Sequence, residues 1–84
     1  MNSRQQATLS AIFDEPTRAN IAWSEIESLF RALGAALSEG GGSRVRVALN
    51  GVRAVFHRPH PEKETDRGAV RSVRDYLTEA GVAP

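Results

Sequence analysis

Apolar and polar side chains alternate along residues 44–49 and again along residues 52–57, and Asn50-Gly51 separates the two runs. Alternation of this kind is typical of a strand that buries one face, and Asn-Gly favours a two-residue hairpin turn. Such a turn fixes the register and places Arg44 opposite His57. The buried face of the predicted hairpin then carries Val45, Val47, Leu49, Val52, Ala54 and Phe56.

The other face of the predicted hairpin gathers its charge. Four positive or titratable side chains share this face: Arg44, Arg46, Arg53 and His57. Burying so much charge without partners is strongly unfavourable, so we expect the face to point to solvent.

Helical spacing of apolar residues predicts one helix before the hairpin and one after it. The first ends at Gly34, and Ser24 followed by Glu27 near its start has the form of a capping box. The second begins at Thr65 or Asp66 and carries one apolar stripe. The apolar positions are Ile26, Leu29, Phe30 and Leu33 in the first helix and Val70, Val73, Leu77 and Ala80 in the second.

Residues 35–39 are placed to form an edge strand beside the hairpin, and the Gly-rich residues 40–43 predict a flexible loop. The expected fold is therefore α+β and two-layered, α-β-β-β-α, with two helices packed on one face of a three-stranded antiparallel sheet. We expect this domain to occupy residues 21–84. Residues 1–20 are expected to be an N-terminal extension with a short helix at residues 7–13.

Composition limits the class of protein. The chain has 84 residues, 40% of them hydrophobic, and no cysteine. The lack of cysteine excludes disulfides, thiol catalysis and zinc sites built from thiolates. No apolar run approaches the roughly 18 residues that a membrane span requires. We therefore expect one small cytoplasmic domain with no membrane segment.

The net charge of +1 conceals an asymmetry between the two halves of the chain. Residues 1–42 carry a net charge of −2, whereas residues 43–84 carry +3. Residues 44–61 hold four arginines and two histidines but no acid. A local excess of positive charge of this kind indicates a polyanionic partner.

Three short motifs accompany the predicted order of elements. They are Gly42-Ser43 before the second strand, His60-Pro61 after the third, and Gly68 with Ser72-Val73 on the last helix. In this combination, residues 24–82 resemble the HicA family, small mRNA interferases of bacterial type II toxin–antitoxin systems with a fold like that of double-stranded-RNA-binding domains. The resemblance implies an endoribonuclease that acts on mRNA, requires no cofactor and is held in check by a HicB-like antitoxin.

One position departs from the family pattern. The family's catalytic histidine follows Gly-Ser, and this chain has Arg44 there. Arginine has a pKa above about 12 and cannot act as a base, so we predict that Arg44 clamps a phosphate. Imidazole titrates near pH 6.5, and His57 across the hairpin is therefore the candidate acid–base residue. The candidate RNA-binding residues are Arg44, Arg46, Arg53, Arg58 and His60.

Two other functions stay open at this point. Because arginine replaces the family's histidine, the chain can also be interpreted as a catalytically inactive RNA-binding or antitoxin-binding domain of the same fold. A third interpretation is an interaction module that docks its positive face on an acidic protein.

Other conspicuous residues have simpler interpretations. His57 and His60 are not expected to bind a metal, since no cysteine or well-spaced carboxylate completes a ligand set. Trp23 is expected to pack beneath the first helix rather than to stack on a base. A basic stripe on the last helix either extends towards RNA or pairs with acids, and it consists of Arg67, Arg71 and Arg74.

Overall fold

The computed structural model describes residues 1–84 and contains three helices and five strands. In chain order these elements are α1 (Ser3–Ile12), β1 (Ile21–Ala22), α2 (Trp23–Ala32), β2 (Ala36–Glu39), β3 (Arg44–Leu49), β4 (Val52–His57), β5 (Glu64–Thr65) and α3 (Arg67–Glu79).

β2, β3 and β4 form an antiparallel sheet with β3 in the centre, as predicted. The register of the hairpin is also confirmed, because Leu49 pairs with Val52 beside the turn and Arg44 pairs with His57 at the far end. Asn50 and Gly51 both have positive φ, which a turn of this type requires and which Asn-Gly tolerates at low cost. Asn50 also donates a side-chain hydrogen bond to the carbonyl oxygen of Ala80, which ties the hairpin tip to the end of α3.

The helices cover one face of the sheet and enclose a single hydrophobic core. The predicted apolar stripe of α3 is buried, and Val45 and Val47 meet it from the sheet. Four aromatic rings pack against one another in this core, with centroids 5.6–6.4 Å apart: Trp23, Phe30, Phe56 and Tyr76. The α+β fold with helices on one side of a three-stranded sheet is thus confirmed, and Trp23 is a core residue.

The helix starts differ in how well the sequence predicted them. α3 begins as expected, because the Asp66 side chain accepts a hydrogen bond from the Ala69 backbone N–H at 2.8 Å. The predicted capping box of α2 is wrong. The N-cap residue is Ala22, which offers no side-chain bond, and Ser24 lies inside the helix. Glu27 is buried and binds Trp23 and Arg58 instead of the helix start.

The N-terminal helix is longer than residues 7–13 and belongs to the same core. It begins at Ser3 because Asn2 and Gln5 form a reciprocal capping box. Leu9 and Ile12 are almost fully buried, at 2% and 0% exposure, in the core that α2 and α3 share.

Two arginines of the basic stripe on α3 fasten the segment that follows α1. Arg74 donates to the carbonyl oxygens of Ile12 at 2.9 Å and Asp14 at 2.6 Å, and it forms an ion pair with Glu15 at 2.6 Å. Arg67 donates to the carbonyl oxygen of Thr17 at 3.0 Å. These arginines therefore hold the N-terminal segment, and both lie on the helical side of the sheet.

A second, two-stranded sheet joins the chain before α2 to the chain before α3. β1 pairs with β5, so that Ile21 lies opposite Thr65. The backbone N–H of Asn20 also donates to the carbonyl oxygen of Thr65 at 3.0 Å. Two residues per strand are too few to show an alternation pattern, so this ladder cannot be predicted from the sequence. None of the helices has the length and apolar character needed to cross a membrane.

Candidate functional site

The face of the three-stranded sheet that turns away from the helices is exposed and positively charged. Arg44, Arg46, Arg53 and His57 all lie on it and are exposed, and we call these four residues the basic face. The outward residues of β2 that share this side of the sheet are Ala36 and Ser38, so no acidic side chain interrupts it.

Arg44 and His57 are cross-strand neighbours. The backbone N–H of Arg58 donates to the carbonyl oxygen of Ser43 at 2.8 Å, so Ser43 and Arg58 form a hydrogen-bonded pair. The next pair along the ladder, Arg44 with His57, is therefore of the non-hydrogen-bonded type. Cα atoms of such pairs are roughly 4.5 Å apart, and their side chains are closer than in the other type. A guanidinium and an imidazole thus stand side by side facing solvent.

The glycine-rich loop before β3 sets the position of Arg44. The Arg44 backbone N–H donates to Gly41 at 3.1 Å, and the Gly40 N–H donates back to the Arg44 carbonyl oxygen at 2.9 Å. A Cβ atom at Gly40 would lie 3.1 Å from the Arg44 Cβ, which is tighter than ordinary contact. A side chain at position 40 would require Arg44 to shift by a few tenths of an ångström, so glycine allows the loop to approach the start of β3 closely.

The basic face holds much of the protein's unpaired positive charge. Of the eleven lysines and arginines, five form ion pairs with carboxylates: Arg4, Arg18, Arg31, Arg58 and Arg74. Three of the other six lie together on the basic face, and Arg46 among them uses one N–H to bind the carbonyl oxygen of Glu39 at 2.7 Å. An anionic ligand that binds the basic face does not have to displace a carboxylate, as it would at the five ion-paired arginines.

A shallow depression of about 620 Å³ lies in the middle of the open sheet face. Its floor includes Ala36, Ala48 and Val55, and Arg46 and Arg53 stand at its rim. Val55 is 54% exposed, which is unusual for a large apolar side chain in this protein. An apolar floor between two guanidinium groups suits a flat aromatic ring, because guanidinium planes stack on the faces of such rings.

Arg58 lies on the opposite side of the sheet from the basic face, because it continues the alternation one residue beyond His57. Its guanidinium binds Glu27 on α2 and Glu39 at the end of β2, with closest N–O distances of 2.6 Å to each. These hydrogen bonds, Glu39's first, raise the pKa of Arg58. Burial alone would raise the pKa of Glu27, but hydrogen bonds from Arg58 and Trp23 outweigh it and hold that pKa below its usual value. All three groups therefore stay charged at neutral pH.

His60 lies at the end of the sheet, apart from the hairpin. It lines a cleft of about 490 Å³ together with Gly42, Ser43, Arg58 and Pro59. The Gly42-Ser43 and His60-Pro61 motifs therefore meet in space. Gly68 borders a different cleft, beside Thr17 and Arg71, so the third motif does not join them. No three His, Asp or Glu side chains are grouped closely enough to hold a metal ion.

The sequence predicted the basic face but missed the cluster around Arg58. A signal was present, since alternation places Arg58 on the helical side, where Glu27 is the one acid of α2 near the core. That Glu39 completes the cluster follows from the strand register, which pairs Glu39 with Val45 at the same end of the sheet.

Comparison with curated proteins and with solved structures found no match. Comparison with family models gave one match, to the HicA toxin of bacterial toxin–antitoxin systems, over residues 23–82. The matched segment runs from the first residue of α2 to just beyond α3 and includes the whole three-stranded sheet. Since it covers well over half of the chain, this protein belongs to the HicA family of bacterial toxins, the toxin components of toxin–antitoxin pairs.

Proposed function

We propose that this toxin binds mRNA through the basic face and cleaves it without a metal ion. The observation that carries the proposal is the grouping of three arginines and a histidine on one exposed sheet face that holds no acid. Phosphodiester groups repeat along RNA at a spacing that one cross-strand set of arginines can contact, and each contact adds affinity that salt weakens.

Arg44, Arg46 and Arg53 contact phosphates, and His60 contacts RNA from the cleft at the end of the sheet. The depression around Val55 takes a sugar or a base between Arg46 and Arg53. All four aromatic rings of the core cluster are buried, so the face has no aromatic platform for bases. Recognition through phosphates and arginine planes alone implies weak sequence preference. Arg58 is not included in this RNA-contacting set, because its guanidinium already binds two carboxylates.

His57 supplies acid–base catalysis next to the phosphate that Arg44 holds. Neutral imidazole takes the proton of the ribose 2′-hydroxyl while the 2′-oxygen forms a bond to phosphorus. The bond from phosphorus to the 5′-oxygen breaks, and that oxygen receives the proton from the imidazolium. The products are a 2′,3′-cyclic phosphate and a 5′-hydroxyl, and the guanidinium of Arg44 stabilises the charge on the non-bridging oxygens.

The second candidate function is binding without cleavage. It is favoured by one observation, the arginine at the position of the family's catalytic histidine. In that case the toxin binds RNA or a HicB-like antitoxin and does not cleave RNA. An antitoxin that neutralises the basic face is expected to present acidic side chains to it, since the charges that attract phosphate also attract carboxylates.

We place the binding and cleavage of mRNA by this toxin in the cytoplasm.

One experiment separates these functions. Purified protein is incubated with mRNA in the presence of a chelator, and His57→Gln and Arg71→Gln variants are run beside it. Cleavage by the native protein and by Arg71→Gln, but not by His57→Gln, supports the ribonuclease. Retention of RNA without cleavage supports the silent binder, and absence of both, with tight binding to an acidic protein, supports an interaction module.

A further inference from the structure

We infer that Arg58 is a positioning residue: Glu27 and Glu39 hold its guanidinium so that it fixes the end of the hairpin and the loop bearing His60, and it makes no contact with RNA phosphate. The effect of Arg58 on catalysis rests on the proposed function, whereas the position of its guanidinium follows from the contacts of Arg58 alone.

Four of the five N–H groups of the Arg58 guanidinium donate to carboxylates. Nε donates to Glu27 at 2.6 Å, and Nη1 donates to Glu39 at 2.6 Å. Nη2 donates to both carboxylates, at 2.9 Å to Glu39 and 3.3 Å to Glu27. Two carboxylates around one guanidinium give the trio a net negative charge. A phosphate that displaces neither carboxylate can bind only the one remaining Nη1 N–H, and there it meets the negative charge of both carboxylates.

Glu27 anchors this arrangement to α2. Glu27 is only 8% exposed, and its carboxylate also accepts a hydrogen bond from the indole N–H of Trp23. Arg31, one turn along the same helix, approaches the other oxygen at 3.5 Å. Because hydrogen bonds keep the pKa of Glu27 low, the anchor stays ionised at neutral pH. The side chain of Arg58 is therefore fixed to a rigid helix rather than to a loop.

The backbone of Arg58 transmits this restraint to the candidate site. Its N–H donates to the Ser43 carbonyl oxygen at 2.8 Å, which is the ladder bond next to Arg44 and His57. Pro59 follows directly and has a restricted φ, so the direction in which the chain leaves Arg58 sets the place of His60. His60 then faces Gly42 and Ser43 across one cleft. We call the hydrogen bonds from Arg58 to Glu27 and Glu39 the Arg58 clamp. Loss of this clamp loosens the Arg44–His57 end of the hairpin and the loop that bears His60.

Two measurements on the full chain test this role. The first is the binding of a short single-stranded RNA as a function of salt. We compare the native protein with Arg58→Met, Glu39→Gln and Arg46→Gln. The second is the imidazole NMR spectrum, which is simple because the chain has two histidines and a His57→Gln variant assigns both.

A positioning role predicts that Arg58→Met and Glu39→Gln leave the slope of log K against log salt unchanged. Both variants shift the His60 resonances, and Arg46→Gln reduces the size of the slope by about 0.7. A fall of that size in Arg58→Met, or a matching rise in Glu39→Gln, would show that Arg58 contacts phosphate and would overturn the inference. Glu39→Gln leaves the buried half of the clamp in place, so it remains informative if Arg58→Met does not fold.

The two proposals fail in different ways. If the native protein binds no RNA at any salt concentration, the proposed function fails and the NMR arm alone decides the role of Arg58. His60 resonances that superimpose in the native protein and both clamp variants would contradict positioning, whatever the RNA result.

Discussion

Arg44 and His57 face each other across a non-hydrogen-bonded position of the β3–β4 ladder, at the end of the hairpin that is farthest from its turn. One of these side chains is a guanidinium and the other an imidazole, and both are exposed to solvent. In the proposed function this pair combines anion binding with proton transfer, and Arg44 stands where the resemblance to HicA toxins places the family's catalytic histidine.

Arg44→His places a second imidazole opposite His57, at the family's own catalytic position. We expect the rate constant of RNA cleavage, kcat, to rise at least tenfold near pH 6.5, since one imidazole can then act as base while the other acts as acid. RNA affinity should fall, because a guanidinium contact is lost. The control is Arg46→His, one outward position further along β3. Equal gains in both variants, or no gain in either, would contradict the assigned pair.

The N-terminal helix should be required for stability. Ile12 is fully buried, and Ile12→Ala is expected to lower the free energy of unfolding by about 2–4 kcal/mol. That is a large share of the roughly 4–13 kcal/mol available to a domain of this length. Urea denaturation measures the change, and the exposed Ser10 on the same helix provides the control variant Ser10→Ala. A loss below about 0.5 kcal/mol would mean that α1 packs only loosely.

The hairpin shows how far the sequence alone leads. Its alternation and its Asn-Gly turn determine the register, and the register determines the basic face, because side chains on a strand have only two directions available. The start of α2 shows the limit. Ser24 and Glu27 have the right spacing for a capping box, but Glu27 makes stronger bonds to Trp23 and Arg58, which is 31 residues away.

Long-range contacts explain the other differences. Arg67 and Arg74 bind backbone carbonyl oxygens that lie 50 or more residues earlier in the chain. Every residue has a backbone carbonyl, so the pattern of side chains cannot predict which one an arginine binds. The predicted start of α1, at residue 7, is too late, because apolar spacing does not extend into its polar first turn. That turn is held by the capping box that Asn2 and Gln5 form. The charge asymmetry pointed correctly to an exposed positive surface, but counting charges could not reveal that Arg58 is paired.

The clamp around Arg58 should make stability depend on acidic pH. The pKa of folded Glu27 lies below its usual value of 4.5, so the unfolded chain takes up a proton first as the pH falls. Its contribution is therefore full above about pH 5 and is lost as the pH falls through the folded pKa. Glu27→Gln should cost about 1–3 kcal/mol at pH 7 and less near pH 3. Denaturation curves at both pH values test this, and an equal cost at both would contradict the ionic contribution.

The depression at Val55 should matter for RNA binding and not for folding. Because Val55 is 54% exposed, Val55→Asp is expected to leave the melting temperature nearly unchanged. A carboxylate between Arg46 and Arg53 should weaken RNA binding at least tenfold, through repulsion of phosphate and competition for the two guanidinium groups. Val55→Asn is the isosteric neutral control. Equal weakening in the two variants would assign the effect to polarity and not to charge.

The central claim, that the basic face binds RNA phosphates, is tested most directly by the salt dependence of RNA affinity in single arginine variants. We predict that Arg44→Gln, Arg46→Gln and Arg53→Gln each reduce the slope of log K against log salt by about 0.7, as expected for one lost contact to single-stranded RNA. Arg71→Gln, which removes an unpaired arginine from the helical side, should leave the slope unchanged. Slopes that are the same in all four variants and in the native protein would contradict the account.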